Sequence, residues 1–78
     1  MDHSRTARRA SGLLYSAATA SGKSMNSLAE GTGIPRTTLK RRLSGQSPML
    51  LTEFCTIADE IGADAVAIFA AASMPDAA

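Results

Sequence analysis

The amino-acid sequence predicts an all-α protein, a compact bundle of five short helices. Apolar residues recur at spacings of three and four along most of the chain, which is the period of an amphipathic helix. No segment keeps the alternation of apolar and polar residues typical of a strand, and no Asn-Gly or Asp-Gly pair marks a hairpin. Glycines and prolines separate the apolar stretches at short intervals, so each helix is expected to be brief.

One domain is expected to span residues 1–78, because a chain of this length can bury only one small core. A content of 45% hydrophobic and 19% charged residues is typical of a globular protein rather than a disordered one. Aromatic residues make up only 4% of the chain, so the core is expected to be aliphatic. A core this small often needs the support of a partner subunit.

The first two helices are predicted on either side of Gly22, which can end a helix. Alanines and leucines at helical spacing predict the first helix over residues 7–20. Ser24 is a natural N-cap residue and precedes a short apolar stretch. The second helix is therefore expected over residues 25–31, with Leu28 and Ala29 facing the core.

A tight joint is predicted before the third helix. Gly33 can adopt a left-handed backbone conformation without steric cost. Pro35 suits the first turn of a helix, because its missing N–H would have no partner there. The third helix is expected from Arg36 to Ser44, and Gly45 ends it.

Two apolar helices complete the predicted bundle. The fourth is expected over residues 50–61, with Cys55 buried on its apolar stripe. A lone cysteine also excludes an internal disulfide and a zinc site built from several cysteines. Asp64 is a suitable N-cap for the fifth helix, which is expected to end at about Ser73, before Pro75.

Charge is divided unequally along the chain. All eight Lys and Arg residues lie between Arg5 and Arg42, and the single acid among them is Glu30, so this stretch has a net charge of +7. From Gln46 onward there are five acidic residues and no basic ones. A basic half suits a polyanion such as nucleic acid, and a solvated charge distribution without a ligand is the alternative.

The third helix has two different faces. At about 100° per residue, Leu39 and Leu43 lie on one face, which would anchor the helix to the core. Another face, an arc of about 140°, carries four polar residues: Arg36, Thr37, Lys40 and Arg41. Cationic side chains can donate to guanine O6 and N7, and Thr can contact a thymine methyl, so this face suits the DNA major groove. The spacing by itself is equally consistent with an ordinary exposed basic face that binds no DNA.

The joint between the second and third helices strengthens the DNA-binding interpretation. A small residue, Ala29, is followed four positions later by the turn glycine, Gly33, and apolar residues brace the pair at three positions: Leu28, Ile34 and Leu39. Further agreement lies outside the pair, at Gly22, Pro48, Ile57-Ala58 and Ile61-Gly62. This pattern resembles the helix-turn-helix of phage Cro and lambda-repressor-like proteins (XRE type), over about three-quarters of the chain.

Four residues depart from the pattern of that family. Met25 stands where many members carry a phosphate-binding Gln, and Pro35 replaces a capping Ser or Thr. Thr32 and Arg42 occupy positions that are usually apolar. The departures concern the phosphate contacts and the docking angle on DNA rather than the fold.

The resemblance implies a role on DNA for each exposed polar residue. The base-reading residues would be Arg36, Thr37, Lys40 and Arg41, the last at a base or a phosphate. Backbone contacts would come from the start of the second helix, at Ser24 and Asn26. Residues just past the recognition helix would reach the backbone or a base: Gln46 and Ser47.

A second basic group lies near the N-terminus and consists of Arg5, Arg8 and Arg9. As an arm over residues 1–9 they would contact phosphates or the minor groove, as in other helix-turn-helix proteins. The alternative is that they lie solvated on the first turn of the first helix. Cations at a helix N-terminus oppose its dipole, which favours the arm.

No combination of residues indicates an enzyme. The run Gly22-Lys23-Ser24 fits a relaxed phosphate-loop pattern, but that loop needs a preceding strand, and residues 7–20 are predicted as helix. His3 has no partner for metal binding or acid–base catalysis. We therefore expect no catalytic residue, metal site, cofactor or small-molecule ligand. The apolar run 65–72 is too short to span a membrane.

The fifth helix is expected to meet another protein surface. Residues 65–72 carry no polar side chain, and a helix that is apolar all round must be buried on most sides. A bundle this small covers about one side, so a second copy of the chain is the expected partner. Packing within the chain's own core and binding of a foreign protein are the alternatives.

These observations together predict a cytoplasmic transcriptional regulator of a bacterial host cell. It would be a Cro-like phage or prophage repressor that binds double-stranded operator DNA as a homodimer. The alternative is a protein-interaction module, of antitoxin or anti-repressor type, that uses the apolar fifth helix.

Overall fold

The computed structural model describes residues 3–74, which form five α-helices and no strand. In chain order the helices are α1 (Ser4–Ala20), α2 (Met25–Thr32), α3 (Arg36–Ser44), α4 (Leu51–Glu60) and α5 (Ala65–Ser73). The predicted all-α fold of five short helices is confirmed. Pro75, which was expected to follow the last helix, lies outside the described residues.

An aliphatic core holds the helices together. Helix α1 packs against α3, α4 and α5, and α2 packs against α3 and α4. Five large side chains are fully buried: Leu14, Leu28, Leu39, Leu43 and Ile57. Smaller residues and one ring complete this core: Ala10, Ala18, Phe54, Ala58 and Ala72. Two leucines of the core belong to α3, so the core fixes the orientation of that helix.

Side-chain caps begin two of the helices, as the sequence predicts. The Ser24 hydroxyl accepts a hydrogen bond from the Ser27 N–H at 3.1 Å at the start of α2. At the start of α5 the Asp64 carboxylate accepts the N–H groups of Val66 at 3.0 Å and Ala67 at 3.2 Å. Each cap satisfies backbone donors that have no partner within the helix.

The joint between α2 and α3 turns on Gly33, whose φ of 75° is left-handed. Its N–H donates to the Ala29 carbonyl at 3.0 Å and closes the end of α2. The Thr32 hydroxyl donates to the Leu28 carbonyl at 2.7 Å and accepts the Ile34 N–H at 3.2 Å. This hydroxyl therefore links the last turn of α2 to the chain that leads into α3.

The boundaries of α1, α2 and α4 differ from the prediction by one to three residues, whereas those of α3 and α5 agree with it. Helix α1 begins at Ser4 rather than residue 7, because the Ala7 N–H already donates to the His3 carbonyl at 3.1 Å. Helix α2 extends to Thr32, and α4 is shorter by one residue at each end. Pro35 does not lie in the first turn of α3: its ψ of 141° is extended, so it precedes the helix.

The prediction that Cys55 is buried is wrong, because its side chain is exposed. Helix α4 buries Phe54, Ile57 and Ala58. Helices α1, α2 and α5 pack on α4 but leave part of its apolar stripe uncovered. Cys55 and Leu51, which is 70% exposed, lie on the uncovered part.

Candidate nucleic-acid interface

Helix α3 is held by its leucines and presents its polar residues outward. Leu39 and Leu43 are buried, at 0% and 2% exposure. The four residues that the sequence singles out for base reading are all exposed: Arg36, Thr37, Lys40 and Arg41. They lie at positions i, i+1, i+4 and i+5 of one helix, so they share one side of it. The burial pattern of α3 is therefore the one that the sequence predicts.

The three cations on this side of α3 have no acidic partner within residues 3–74. Neither of the ion pairs found in this part of the chain involves Arg36, Lys40 or Arg41. A cation that is not paired within the protein keeps its charge available for an external anion. We call the side chains Arg36, Thr37, Lys40 and Arg41 the basic face of α3.

Two other basic residues are paired within the fold and do not join the basic face. Lys23 Nζ donates to the Glu60 carbonyl at 2.7 Å and lies 3.4 Å from the Glu60 carboxylate. Arg42 Nε lies 3.2 Å from the Glu53 carboxylate, and Arg42 Nη1 donates to the Pro48 carbonyl at 2.8 Å. The basic half of the sequence is therefore only partly available to a ligand.

Helix α2 lies next to α3 and carries the two residues proposed to meet phosphates. Ser24 and Asn26 are exposed at its start. The Ser24 oxygen accepts the capping N–H, which leaves its O–H free to donate to a phosphate oxygen. The Asn26 amide can also donate. Both are polar groups at the N-terminus of a helix that packs on α3, which is a favourable position for an anion.

The loop after α3 is held close to the helix end. Gly45 has a φ of 84°, and the N–H groups of Gln46 and Ser47 donate to the Arg41 carbonyl at 3.0 and 3.2 Å. These two backbone donors are occupied, so a ligand at the loop would meet side chains. Gln46 is exposed and Ser47 is half-buried.

The three N-terminal arginines are helical. Arg5, Arg8 and Arg9 lie on α1, so the predicted arm over residues 1–9 is wrong from Ser4 onward, and residues 1 and 2 lie outside the described part. The main-chain hydrogen bond that starts at His3 favours helix over an extended arm here, despite the unfavourable helix dipole.

The arginines of α1 point to different places. Arg8 lines a shallow cavity together with Ser4, Ser47 and Met49, so it lies across from the loop that follows α3. Arg9 donates to the Met74 carbonyl at 3.0 Å, just after α5. The structure therefore brings Arg8, but not Arg9, close to the other candidate DNA contacts. The sequence could not separate them, because the partner of Arg9 lies 65 residues away.

An apolar groove lies between α4 and α5, and the sequence predicted only part of it. No charged side chain lines this groove. The lining residues are Leu51, Phe54, Cys55, Ala65, Val66, Phe69 and Ala70. Val66 is 78% exposed, and the ring of Phe69 packs edge-on against Phe54 at a centroid distance of 6.4 Å. The apolar sequence of α5 predicted part of this surface. The contribution of α4 was missed, because its apolar stripe was assigned entirely to the core.

Residues 3–74 contain no group of three or more His, Cys, Asp or Glu side chains that could hold a metal ion. His3 is exposed just before α1. No helix in this part of the chain is long and apolar enough to cross a membrane.

Comparison of the chain with protein-family models, with curated proteins and with solved structures finds no match. The features that bear on function are the basic face of α3, the neighbouring polar residues and the α4–α5 groove.

Proposed function

We propose that this protein is a sequence-specific DNA-binding transcriptional regulator that reads an operator with α3 in the major groove. It would be a Cro-like phage or prophage repressor acting in the cytoplasm of a bacterial host, and not an enzyme. The observation that carries the proposal is the basic face of α3. Three cations and one Thr stand exposed on a helix anchored by two buried leucines.

The major groove offers what this face requires. It is about 12 Å wide and admits one α-helix. Guanine presents two acceptors there for Arg or Lys, and thymine presents a methyl group for Thr. The rigid attachment of α3 through Leu39 and Leu43 favours sequence reading, because base contacts need a fixed register. Ser24, Asn26 and Arg8 would hold the phosphates on either side of the groove.

A homodimer on DNA is part of the proposal. Each chain carries one α3, so two chains would read two half-sites whose centres lie ~34–36 Å apart, about one turn of B-DNA. The α4–α5 groove supports pairing through a second copy, because it exposes Leu51, Val66 and Phe69 without a charged residue. An isologous contact of this kind buries the same apolar patch on both chains.

The decisive experiment is selection of bound duplexes from a random DNA library by the full chain, followed by sequencing. Enrichment of a two-fold symmetric motif is expected, with two half-sites about one helical turn apart. The matched control is the double variant Arg36→Ala, Lys40→Ala, which should enrich no motif under the same conditions. If the unaltered protein enriches no sequence, the proposal is wrong.

The α4–α5 groove also favours a second candidate function, a protein-interaction module of antitoxin or anti-repressor type. In that case the groove would hold an apolar segment of a foreign protein. The two functions differ in what the basic face does. A module of this type would show no preference among duplex sequences, and loss of the α3 cations would leave partner binding unchanged.

A further inference from the structure

Arg42 belongs to α3 but does not share its basic face. Its side chain is 25% exposed, whereas that of Glu53 on α4 is 15% exposed. Arg42 Nε lies 3.2 Å from Glu53 Oε1, an ion pair in which the N–H is not aligned for a hydrogen bond. The same guanidinium reaches the Pro48 carbonyl through Nη1 at 2.8 Å. One side chain therefore holds both the loop that leaves α3 and the helix that follows it.

Glu53 extends this connection to the start of α4. Its Oε1 accepts the Leu50 N–H at 2.9 Å, so the carboxylate caps α4 while it faces Arg42. A carboxylate in the first turn of a helix is also favoured by the helix dipole. The last turn of α3 and the first turn of α4 are thus joined through one carboxylate oxygen.

The loop between these two helices carries candidate DNA contacts. Residues 45–50 separate α3 from α4, and Gln46 and Ser47 lie in the first half of this segment. The near end of the loop is fixed by the Arg41 carbonyl, which accepts both of their N–H groups. The far end is fixed by Arg42, through Pro48, and by Glu53, through Leu50.

We propose that Arg42 and Glu53 are positioning residues for DNA binding, which set the loop carrying Gln46 and Ser47 relative to the basic face of α3. Arg42 acts through Pro48 and Glu53 and does not contact a phosphate itself. This inference rests on the proposed function. Its physical basis is that base and backbone contacts are productive only when the groups that make them are held in one geometry.

The proposal opposes what simple electrostatics predicts for Glu53. Glu53→Gln removes one negative charge from a DNA-binding protein, so long-range electrostatics alone would strengthen binding. Loss of the ion pair would loosen the loop and weaken binding instead. Glutamine retains an oxygen that can accept the Leu50 N–H, so the cap of α4 is preserved. The direction of the change in affinity therefore separates the two effects.

Arg42→Met and Glu53→Gln are tested on the duplex enriched by selection, as a function of salt concentration. Each variant is expected to lose about tenfold in affinity, the scale of a coupled pair of contacts. The slope of log affinity against log salt should stay at the wild-type value, because no phosphate contact is removed. Arg8→Met is the matched control, because Arg8 is the arginine proposed to contact a phosphate, and it should lower the magnitude of that slope by about one unit.

Circular dichroism and thermal melting establish the temperature at which each variant keeps the helix content of the wild type, and binding is compared there. If Arg42→Met does not fold, Glu53→Gln alone decides the question. A smaller salt slope for Arg42→Met, or equal or tighter binding by Glu53→Gln, overturns the positioning role. If the unaltered protein binds no duplex selectively, the proposed function fails first and this inference with it.

Discussion

At the scale of single residues, six of the eight basic side chains fall into two groups. Lys23, Arg42 and Arg9 have partners within the chain. The cations of the basic face of α3 have no acidic partner within residues 3–74. A cation that is held by a partner within the fold is less available to an external anion, so the two groups should respond differently to substitution. Substitution of one residue from each group removes the same formal charge, so the effects of the two substitutions on DNA binding can be compared directly.

Lys40→Ala and Lys23→Ala form such a pair. Removal of Lys40 is expected to weaken binding to the selected duplex by ~1–3 kcal/mol and to relax specificity at one base pair. Removal of Lys23 should leave the preferred sequence unchanged, because that ammonium is held by Glu60. Fluorescence anisotropy titrations against the selected duplex and its single-base variants measure both effects. Equal losses for the two variants would contradict base reading by Lys40.

Arg8→Ala and Arg9→Ala separate two residues that are neighbours in sequence. Arg8 lies beside the loop after α3, so its loss should weaken binding to all sequences alike and reduce the magnitude of the salt slope by about one unit. Arg9 is bound to the Met74 carbonyl, and its loss should leave the slope unchanged. Titrations at several salt concentrations test this. The reverse order would place Arg9, rather than Arg8, at a phosphate.

At the scale of the elements, the joint between α2 and α3 controls the orientation of the proposed recognition helix. The left-handed Gly33 ends α2 three residues before α3 begins, and the Thr32 hydroxyl stabilises the turn through two hydrogen bonds. A side chain at position 33 would meet no atom within 4 Å. The cost of a substitution there is therefore conformational strain in the backbone rather than a steric clash with neighbours.

Gly33→Ala and Gly12→Ala should change stability in opposite directions. Gly33→Ala is expected to destabilise the protein by about 1 kcal/mol or slightly more, because alanine disfavours a φ of 75°. Gly12 lies within α1 with open space around it, so alanine there should stabilise by about 0.5–1 kcal/mol. Urea unfolding followed by circular dichroism measures both. Stabilisation by Gly33→Ala would contradict the left-handed turn.

At the scale of the whole molecule, the chain presents two surfaces of different chemistry. The basic face of α3 suits an anion, whereas the α4–α5 groove is apolar and uncharged. Leu51, Val66 and Phe69 are exposed there together, which is unusual for a protein that acts as a monomer. In the proposed regulator, DNA would contact the basic face of α3 and a second copy would contact the α4–α5 groove, which lies on different helices.

Val66→Asp tests the proposed homodimer. Val66 is 78% exposed, so the charge should not disturb folding, but it would be buried without a partner in a dimer. Sedimentation at micromolar concentration is expected to show a dimer for the wild type and a monomer for this variant. Ser16→Asp adds the same charge on an exposed part of α1 outside the groove and should remain dimeric. An 8.1 kDa species for the unaltered protein would contradict pairing through the groove.

Features that depend on interactions between neighbours in sequence could be predicted from the sequence. The helix order, the caps at Ser24 and Asp64 and the turn at Gly33 follow from interactions within a few residues. The basic face of α3 was also predictable, because a helix with two leucines on one side can bury only that side. These local signals determined the all-α fold and the candidate base-reading residues.

The tertiary structure decided which basic side chains remain available to a ligand and which apolar surface stays uncovered. Lys23 and Glu60 lie 37 residues apart, and Arg9 and Met74 lie 65 apart, so no local pattern could pair them. Cys55 was misplaced for the same reason: α4 has apolar residues around much of its circumference, and only the packing of its neighbours selects the side that is buried. Burial and ion pairing are set by contacts between distant segments, which a sequence read locally does not contain.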